Sequence, residues 1–503
     1  MPVLFTEFRF FIFFAVVFGI YWMLPGNRQR KVLLLISSYI FYAAWNWKFL
    51  ILIIASTVVD FLIGLKLGKL SNPTVRGFPL DANSTMPADG MIQTSDARSH
   101  ARHLWILLSV CWNLGVLFFF KYFNFGITSA AHLLDWLGLQ TSLHTLNIIL
   151  PVGISFFTFQ SMSYSIDVYK GQLKPCRNLL DFSTFIGFFP QLFAGPIVRA
   201  IDFLPQLKSP RRLVDVRGRA MVVMFIIGYI KKACIANNLA PFVDDYFNNP
   251  HHYNWLGCWT AVLFYSAQIY CDFSGYTDMA IASAGLLGFE FCQNFDFPYL
   301  SPSIAEFWRR WHMSLSSWLR DYLYIPLGGN RGGKLFQYRN LFLTMLLGGL
   351  WHGAAWTFVI WGAMHGGALI VHREFRRAKK SLNLVEPSSR PGSGLSVSIA
   401  TALTFFWVSL AWIFFRANSL ETALATAKTF VLFRSPGSAD FGMKAVIAFI
   451  ALAVIHWLAS RNQPFPWWQR VPTWQFATAC GLLLATALPW TPLRYQPFIY
   501  FQF

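Results

Sequence analysis

Residues 304–366, IAEFWRRWHMSLSSWLRDYLYIPLGGNRGGKLFQYRNLFLTMLLGGLWHGAAWTFVIWGAMHG, set two histidines, His312 and His352, among tryptophans, glycines and arginines. Stepping 100° per residue along the first half as a helix gathers Ile304, Phe307, Trp308, Trp311, Leu315, Trp318 and Leu319 on one side. Glu306, Arg309, Arg310, Ser316, Ser317 and Arg320 fall on the other. A helix with Trp on one face and Arg on the other suits the membrane interface, where it lies in the plane of the bilayer. His312 lands on the seam between the faces. The second half is apolar nearly all round, from Leu341 to Leu350 and from Ala354 to Ile370, and His352 sits between these runs inside GGLWHG (348–353). An ionisable group at such a place is costly unless it faces a cavity or a partner, so function is the first hypothesis for it.

Working outward, the composition is that of a polytopic membrane protein. Of 503 residues, 55% are hydrophobic and only 13% charged, and the mean hydropathy is +0.45; soluble domains carry about twice that share of charge. The 52 Phe and 21 Trp supply bulk for lipid-facing surfaces and interfacial belts. Lys and Arg exceed Asp and Glu by 41 to 22, giving +19. These basic residues punctuate apolar runs, which is the pattern that fixes orientation in a bilayer, and no compact basic domain exists to hold nucleic acid. Seven scattered cysteines without a CxxC pair read as small apolar residues, neither a disulfide frame nor a metal site.

Apolar stretches long enough to span, or nearly so, occur at about 8–24, 32–45, 48–65, 104–121, 147–166, 219–238, 255–274, 340–371, 396–415, 445–459 and 475–490. The expected fold class is therefore an all-α polytopic membrane protein, read as a single integral domain over 1–503. The first run lacks a basic leader and a small-residue cleavage signal, which marks a retained span. Basic clusters follow the first, third and fifth runs, so the N-terminus is expected outside and those connections in the cytoplasm. The same count puts the 304–320 helix, Arg331–Lys334 and HREFRRAKK (372–380) on the cytoplasmic side, and leaves the side of the C-terminus open. Residues 179–197, with Pro190, Gly195 and Pro196, read as a segment that dips in and returns, or as a bent ordinary helix. Residues 340–371 read as one long kinked span or as two half-helices broken between Gly348 and Gly353. Residues 71–103 form an expected polar cytoplasmic loop, and 381–396 a second polar linker.

Candidate chemistry centres on His352. Imidazole takes a proton from a hydroxyl and returns it within one cycle, and its neutral form is cheaper to bury than a carboxylate. The structural alternative is a helix-to-helix hydrogen bond. His312 reads either as a second functional ring or as a bridge between water and neighbouring helices. Arg309, Arg310 and Arg320 are suited to the phosphates of a nucleotide-type donor, or to anchoring on lipid phosphate. YLYIPLGGNRGGK (322–334), which contains Asn330, is no Walker loop; it reads as a turn-rich connector or a donor contact. Trp311, Trp351 and Asn330 complete the candidate donor set. In YCDFSGYTD (270–278), Asp272 and Asp278 line a polar channel or sit at the interface, the interface being favoured. Neither GxSxG nor HExxH surrounds the histidines, and no metal is expected.

Six blocks go beyond chemistry: PVGISFFTFQSMSYSIDVYKG (151–171), FFPQLFAGPIVR (188–199), YCDFSGYTDMAIASAGLLGF (270–289), FWRRWHMSLSSWLRDYLYIPLGGNRGG (307–333), LWHGAAWTFVIWGAMHG (350–366) and WIFFRA (412–417). Together they resemble the membrane-bound O-acyltransferase family over about residues 1–495. Within it the branch of bacterial alginate O-acetylation is the most similar, and the D-alanyl transferases of teichoic acids are cousins. The resemblance implies a ring of about eleven transmembrane helices with re-entrant segments around a thin central funnel or tunnel, entered by the acyl donor from the cytoplasm. The family's near-invariant histidine falls on His352 and its second histidine on His312. It further implies a bacterial inner-membrane enzyme that moves an acetyl group, with acetyl-CoA the expected donor and no bound cofactor. The acceptor would be a hydroxyl of an exported, alginate-like polysaccharide or of a periplasmic partner protein. The insertion at 71–103 is longer than the family pattern. The alternatives are a carrier-protein-dependent acyl or D-alanyl transferase, a scaffold, and a small-anion transporter, against which stands the lack of an internal repeat.

Overall fold

The computed structural model describes residues 5–70, 96–139, 142–193, 195–382, 394–461, 467–492 and 496–501. The chain divides by its contacts into two compact units, one of Met1–Phe193, Ile197–Asp215 and Leu287–Phe289, the other of the remainder. Both are helical. Among the described residues, five helices are long and apolar enough to cross a bilayer, namely Asn27–Leu70, Arg98–Trp136, Gly218–Asn248, Gly394–Arg416 and Gly442–Arg461. The molecule is a multi-pass membrane protein.

In the first unit, α1 (Phe8–Met23) is followed by α2 (Asn27–Leu70), which bends at Asn46, where φ is −160°. The bend has a local cause: Asn46 Oδ1 accepts the Lys48 amide at 3.1 Å and so caps the second half, placing the break between the two expected spans. α3 (Asp96–Leu117) continues through a π-turn at Phe118–Tyr122 into α4 (Phe123–Trp136). Residues 96–103, read from sequence as loop, are thus the first turns of a helix, on which Arg98, His100 and His103 are exposed, while 71–95 lie outside the described residues. α5 (Ile154–Tyr169) begins seven residues later than the apolar run does, because Gly153 takes a φ of +77° and a Cβ there would meet the Leu192 carbonyl oxygen at 2.3 Å. The segment expected to dip and return forms two short buried helices, α6 (Leu179–Gly187) and α7 (Phe189–Leu192). The backbone donor freed by their break is satisfied, since Phe189 N–H donates to Ser38 Oγ at 3.0 Å. α8 (Ala200–Lys208) completes the unit.

The second unit opens with α9 (Gly218–Tyr229), a π-turn at Ile230–Ala236 and α10 (Asn237–Asn248), all packed on α11 (Trp255–Leu286). The interaxial approach is glycine-limited: a Cβ at Gly228 or Gly275 would stand 2.6 Å from the other's carbonyl oxygen. The stretch 304–320 is not the single amphipathic helix its periodicity suggests. It is α12 (Ile304–Arg310) and α13 (Met313–Leu319), separated by Trp311 and His312, and a π-turn at Arg320–Tyr324 follows. Residues 340–371 likewise divide, into α14 (Lys334–His352) and α15 (Trp356–Ser381), with extended backbone at Gly353 and Ala355. The chain then runs through α16 (Gly394–Arg416), α17 (Leu420–Leu432), α18 (Gly442–Arg461), α19 (Trp467–Arg470) and α20 (Thr473–Ala487). Of the expected linker 381–396, residues 383–393 lie outside the described residues and Gly394 already begins α16.

Candidate active site

The break after Arg310 builds the site. His312 takes φ +43°, a left-handed conformation rare for a residue with a Cβ. Asn294, on the segment after α11, holds it there. Its carbonyl accepts the Met313 amide at 3.0 Å, and its Oδ1 accepts the Ser314 amide at 3.1 Å and the Ser314 hydroxyl at 2.9 Å. The first two backbone donors of α13 are thereby satisfied by one asparagine. The strain is local and paid for by this network.

The same network sets the tautomer of His312. The Ser314 backbone amide can only donate, so the Asn294 atom it meets is the carbonyl oxygen. His312 Nδ1 lies 3.2 Å from that oxygen and must carry the proton to bond it. Nε2 is left with the lone pair, fully buried and with no hydrogen-bond partner among the described residues. His312 therefore faces the interior as a proton acceptor.

His352, the last residue of α14, is 3% exposed, and its ring centre stands 6.4 Å from that of His312. Trp351 flanks both, at 6.2 and 5.0 Å. Trp361 on α15 lies 5.0 Å and Phe415 on α16 5.3 Å from the His352 ring. The glycines of GGLWHG serve helix packing rather than substrate approach. A Cβ at Gly349 would be 2.3 Å from the Phe358 carbonyl oxygen, and one at Gly353 2.1 Å from the Phe358 ring, so α14 and α15 close only because both lack one.

Several residues of this chamber were not singled out from the sequence. His365 is fully buried and accepts the Trp308 indole N–H on Nδ1 at 3.3 Å; its ring is 4.6 Å from Trp361. The Trp361 indole N–H is itself buried and without a partner among the described residues. Tyr500 reaches the chamber from the far end of the chain, its ring 5.5 Å from His352 and 4.6 Å from Phe273, with a buried phenol hydroxyl that bonds nothing described. Its anchor is Asp272, which accepts the Ile499 amide at 2.9 Å and pairs with the buried Lys232, and Phe498 packs on Tyr276 at 4.8 Å. Asp272 is thus 3% exposed, enclosed by its own unit. The π-turn in the preceding segment explains the pair: it lets consecutive lysines reach two acids on α11, Lys232 to Asp272 and Lys231 to Asp278 at 2.8 Å. Two lysines inside a hydrophobic run, with two acids in the next, were the legible signal for this arrangement; the distance of Tyr500 from every motif hid the rest.

Beside the chamber lies a basic cavity of about 600 Å³, lined by Arg309, Arg320, Asn330, His372, Arg373, Arg376, Arg377 and Lys380. Three of the expected donor residues, Arg309, Arg320 and Asn330, line it. Arg310 does not: it points along the helix to Glu306, 2.5 Å away. Trp311 does not either, being buried between Phe307, at 5.6 Å, and Trp412, at 5.0 Å, and Trp351 belongs to the histidine chamber. The missing charge comes from the end of α15, whose HREFRRAKK run supplies most of the cations. The turn at 328–333 shapes the rim, and its glycines are needed, since Gly328, Gly329, Gly332 and Gly333 all have positive φ. Trp308 is shared by the cavity wall and the His365 contact, so the two compartments are one residue apart.

The sequence profile described as membrane-bound O-acyltransferase family matches residues 176–414. Over 417 residues the chain is 43% identical to the probable alginate O-acetylase AlgI of Pseudomonas aeruginosa, covering 82% of this chain and 72% of that protein. It is 38% identical to the protein of the same name from Pseudomonas putida, over 98% of both chains. To the peptidoglycan O-acetyltransferase of Helicobacter pylori it is 37% identical, over 85% of this chain and 79% of that one. Teichoic acid D-alanyltransferases are more distant.

Proposed function

The chain belongs to the membrane-bound O-acyltransferase family, and from that premise we propose that it is a bacterial inner-membrane O-acetyltransferase acting on the hydroxyls of an exported polysaccharide. The observation that carries the reading is the pairing of two buried histidines, forty residues apart in sequence, beside a phosphate-sized array of cations. Relatives named for alginate and for peptidoglycan acetylation support a carbohydrate acceptor. A ring of about eleven spans with the chamber at a thinned centre accounts for the broken helices around it.

In the proposed reaction acetyl-CoA enters the basic cavity from the cytoplasm, its phosphates against Arg320, Arg373 and Arg376. The acyl arm extends past Trp308 to the histidines. An acceptor hydroxyl from the outer side, or from a periplasmic partner, binds between the rings. His352 takes the hydroxyl proton as the oxygen attacks the thioester carbonyl. The acceptor-type Nε2 of His312 suits it to orient the hydroxyl. The Trp361 indole N–H is the kind of donor a developing oxyanion needs. The attack forms the new C–O bond and a tetrahedral oxyanion; its collapse restores the carbonyl, breaks the C–S bond, and returns the proton from imidazole to the thiolate of CoA.

The test is release of CoA from radiolabelled acetyl-CoA by purified, reconstituted protein, with wild type and His352→Ala side by side. Turnover that vanishes in the variant, with its thermal melt intact, supports the reading; equal turnover in both overturns it. Silence of both proteins toward acetyl-CoA, followed by turnover with an acylated carrier protein, transfers the reading to a carrier-bound donor.

A further inference from the structure

The first unit holds a second buried polar centre that the proposed reaction does not use. Three helices each contribute a pair of polar residues spaced i, i+4, and so on one face: Ser56 and Asp60 from α2, Ser109 and Asn113 from α3, Ser161 and Ser165 from α5. All six are fully buried. They converge on the Asp60 carboxylate, whose Oδ1 accepts the hydroxyls of Ser109 at 2.5 Å and Ser165 at 2.9 Å, and whose Oδ2 accepts the Asn113 amide at 2.8 Å.

The buried acid Asp181 has its own lysine, Lys31 at 2.5 Å, and Asp272 has Lys232. Asp60 has no basic partner among the described residues; its neighbours are serines and an asparagine. A buried charge without a counter-charge is unstable, so it must be neutralised by a proton or a cation. Three hydrogen-bond donors favour the ionised form. Two further oxygens lie in the cluster: Asn113 Oδ1, a pure acceptor with no partner among the described residues, and Ser161 Oγ, whose hydroxyl lies close enough to the carboxylate to favour its ionised form.

We propose that this cluster is a monovalent-cation site, with sodium as its ion. Carboxylate, amide carbonyl and hydroxyl oxygens are hard ligands of the kind such ions take inside helical bundles. One carboxylate balances one positive charge, whereas a divalent ion would leave an excess buried. The ion would tie α2, α3 and α5 together, at a site separate from the histidines.

Thermal melts of the purified full-length protein in sodium, potassium and choline chloride at equal ionic strength test this. The wild type is expected to melt a few degrees higher in sodium than in choline, with a shift that grows with concentration as linkage requires. Asp60→Asn should melt at one temperature in all three salts. Ser161→Ala, which removes one candidate ligand oxygen beside the carboxylate, should require more sodium for the same shift above its own choline melt; it decides the matter if Asp60→Asn does not fold. A wild type indifferent to the cation overturns the proposal in favour of a protonated carboxyl. So does a sodium shift that survives unchanged in Asp60→Asn, or in Ser161→Ala where Asp60→Asn does not fold.

Discussion

The histidine chamber and the basic cavity share Trp308 and little else. The chamber is walled by Trp351, Trp361, Phe415 and Tyr500, and three of its buried polar atoms, His312 Nε2, Trp361 Nε1 and the Tyr500 hydroxyl, have no hydrogen-bond partner among the described residues. The cavity is lined by arginines that already engage neighbours, as Arg377 does with Tyr338 at 2.8 Å and Glu374 at 2.6 Å. Low dielectric and unspent hydrogen-bonding capacity are what a reacting centre needs, because groups there cost no reorganisation when charge develops. A partly open array of cations suits binding a polyanion and letting it go. The difference separates rate from affinity, and substitutions can be chosen to break one without the other.

The largest effect is expected at His352. His352→Ala should lower kcat by about 10³-fold or more while leaving the KM for the donor within a factor of about two, as loss of a general base does. Steady-state CoA release checks it, and a raised donor KM with kcat preserved would move His352 to the binding side. Next is Asn294→Ala, which frees the His312 ring and its tautomer and leaves the Ser314 amide unpaired. We expect kcat to fall by about 10²-fold with stability reduced by about 1–3 kcal/mol. Asn294→Asp, which keeps an acceptor at Oδ1, should recover part of the rate if orientation is the cause.

Tyr500→Phe preserves the ring and removes the hydroxyl. Its expected effect is a drop in kcat of about 10-fold with an unchanged melting temperature, a result that would add the C-terminal segment to the chamber. An unchanged kcat would leave Tyr500 as packing only. The smallest effect on rate belongs to the cavity. Arg320→Ala with Arg376→Ala should raise the donor KM by about 10-fold at low salt with kcat retained, and the gap from wild type should narrow as ionic strength rises. Loss of kcat instead of affinity would mean that the cavity also positions the thioester.

Much of this contrast was legible in the residues. The basic run 372–380 and the Trp–Arg pattern of 304–320 were visible as charge beside apolar sequence, and the blocks around His312 and His352 carried the family resemblance. The continuous helix expected through 304–320 failed at Trp311 and His312, because periodicity reports which face is apolar and is blind to Asn294, eighteen residues upstream, taking over the amides of α13. Arg310 sits on the same polar face as Arg309, yet Glu306 one turn back claims it. Gly349 and Gly353 of GGLWHG make room for α15, a close approach that spacing along one segment does not announce.

By itself the sequence determined the class of this protein: apolar runs of spanning length, helical periodicity, the residue types able to transfer a proton, and the family. Each follows from composition or from spacing within a few turns, where a residue's neighbours are known from its position alone. Tertiary structure alone decided which residues meet. It brought His312 within one ring of His352, carried Tyr500 to them through the Ile499–Asp272 bond, and gathered three serine-bearing faces around Asp60. Those contacts join positions tens to hundreds of residues apart. They are set by side-chain packing between helices, which no periodicity within a single helix encodes.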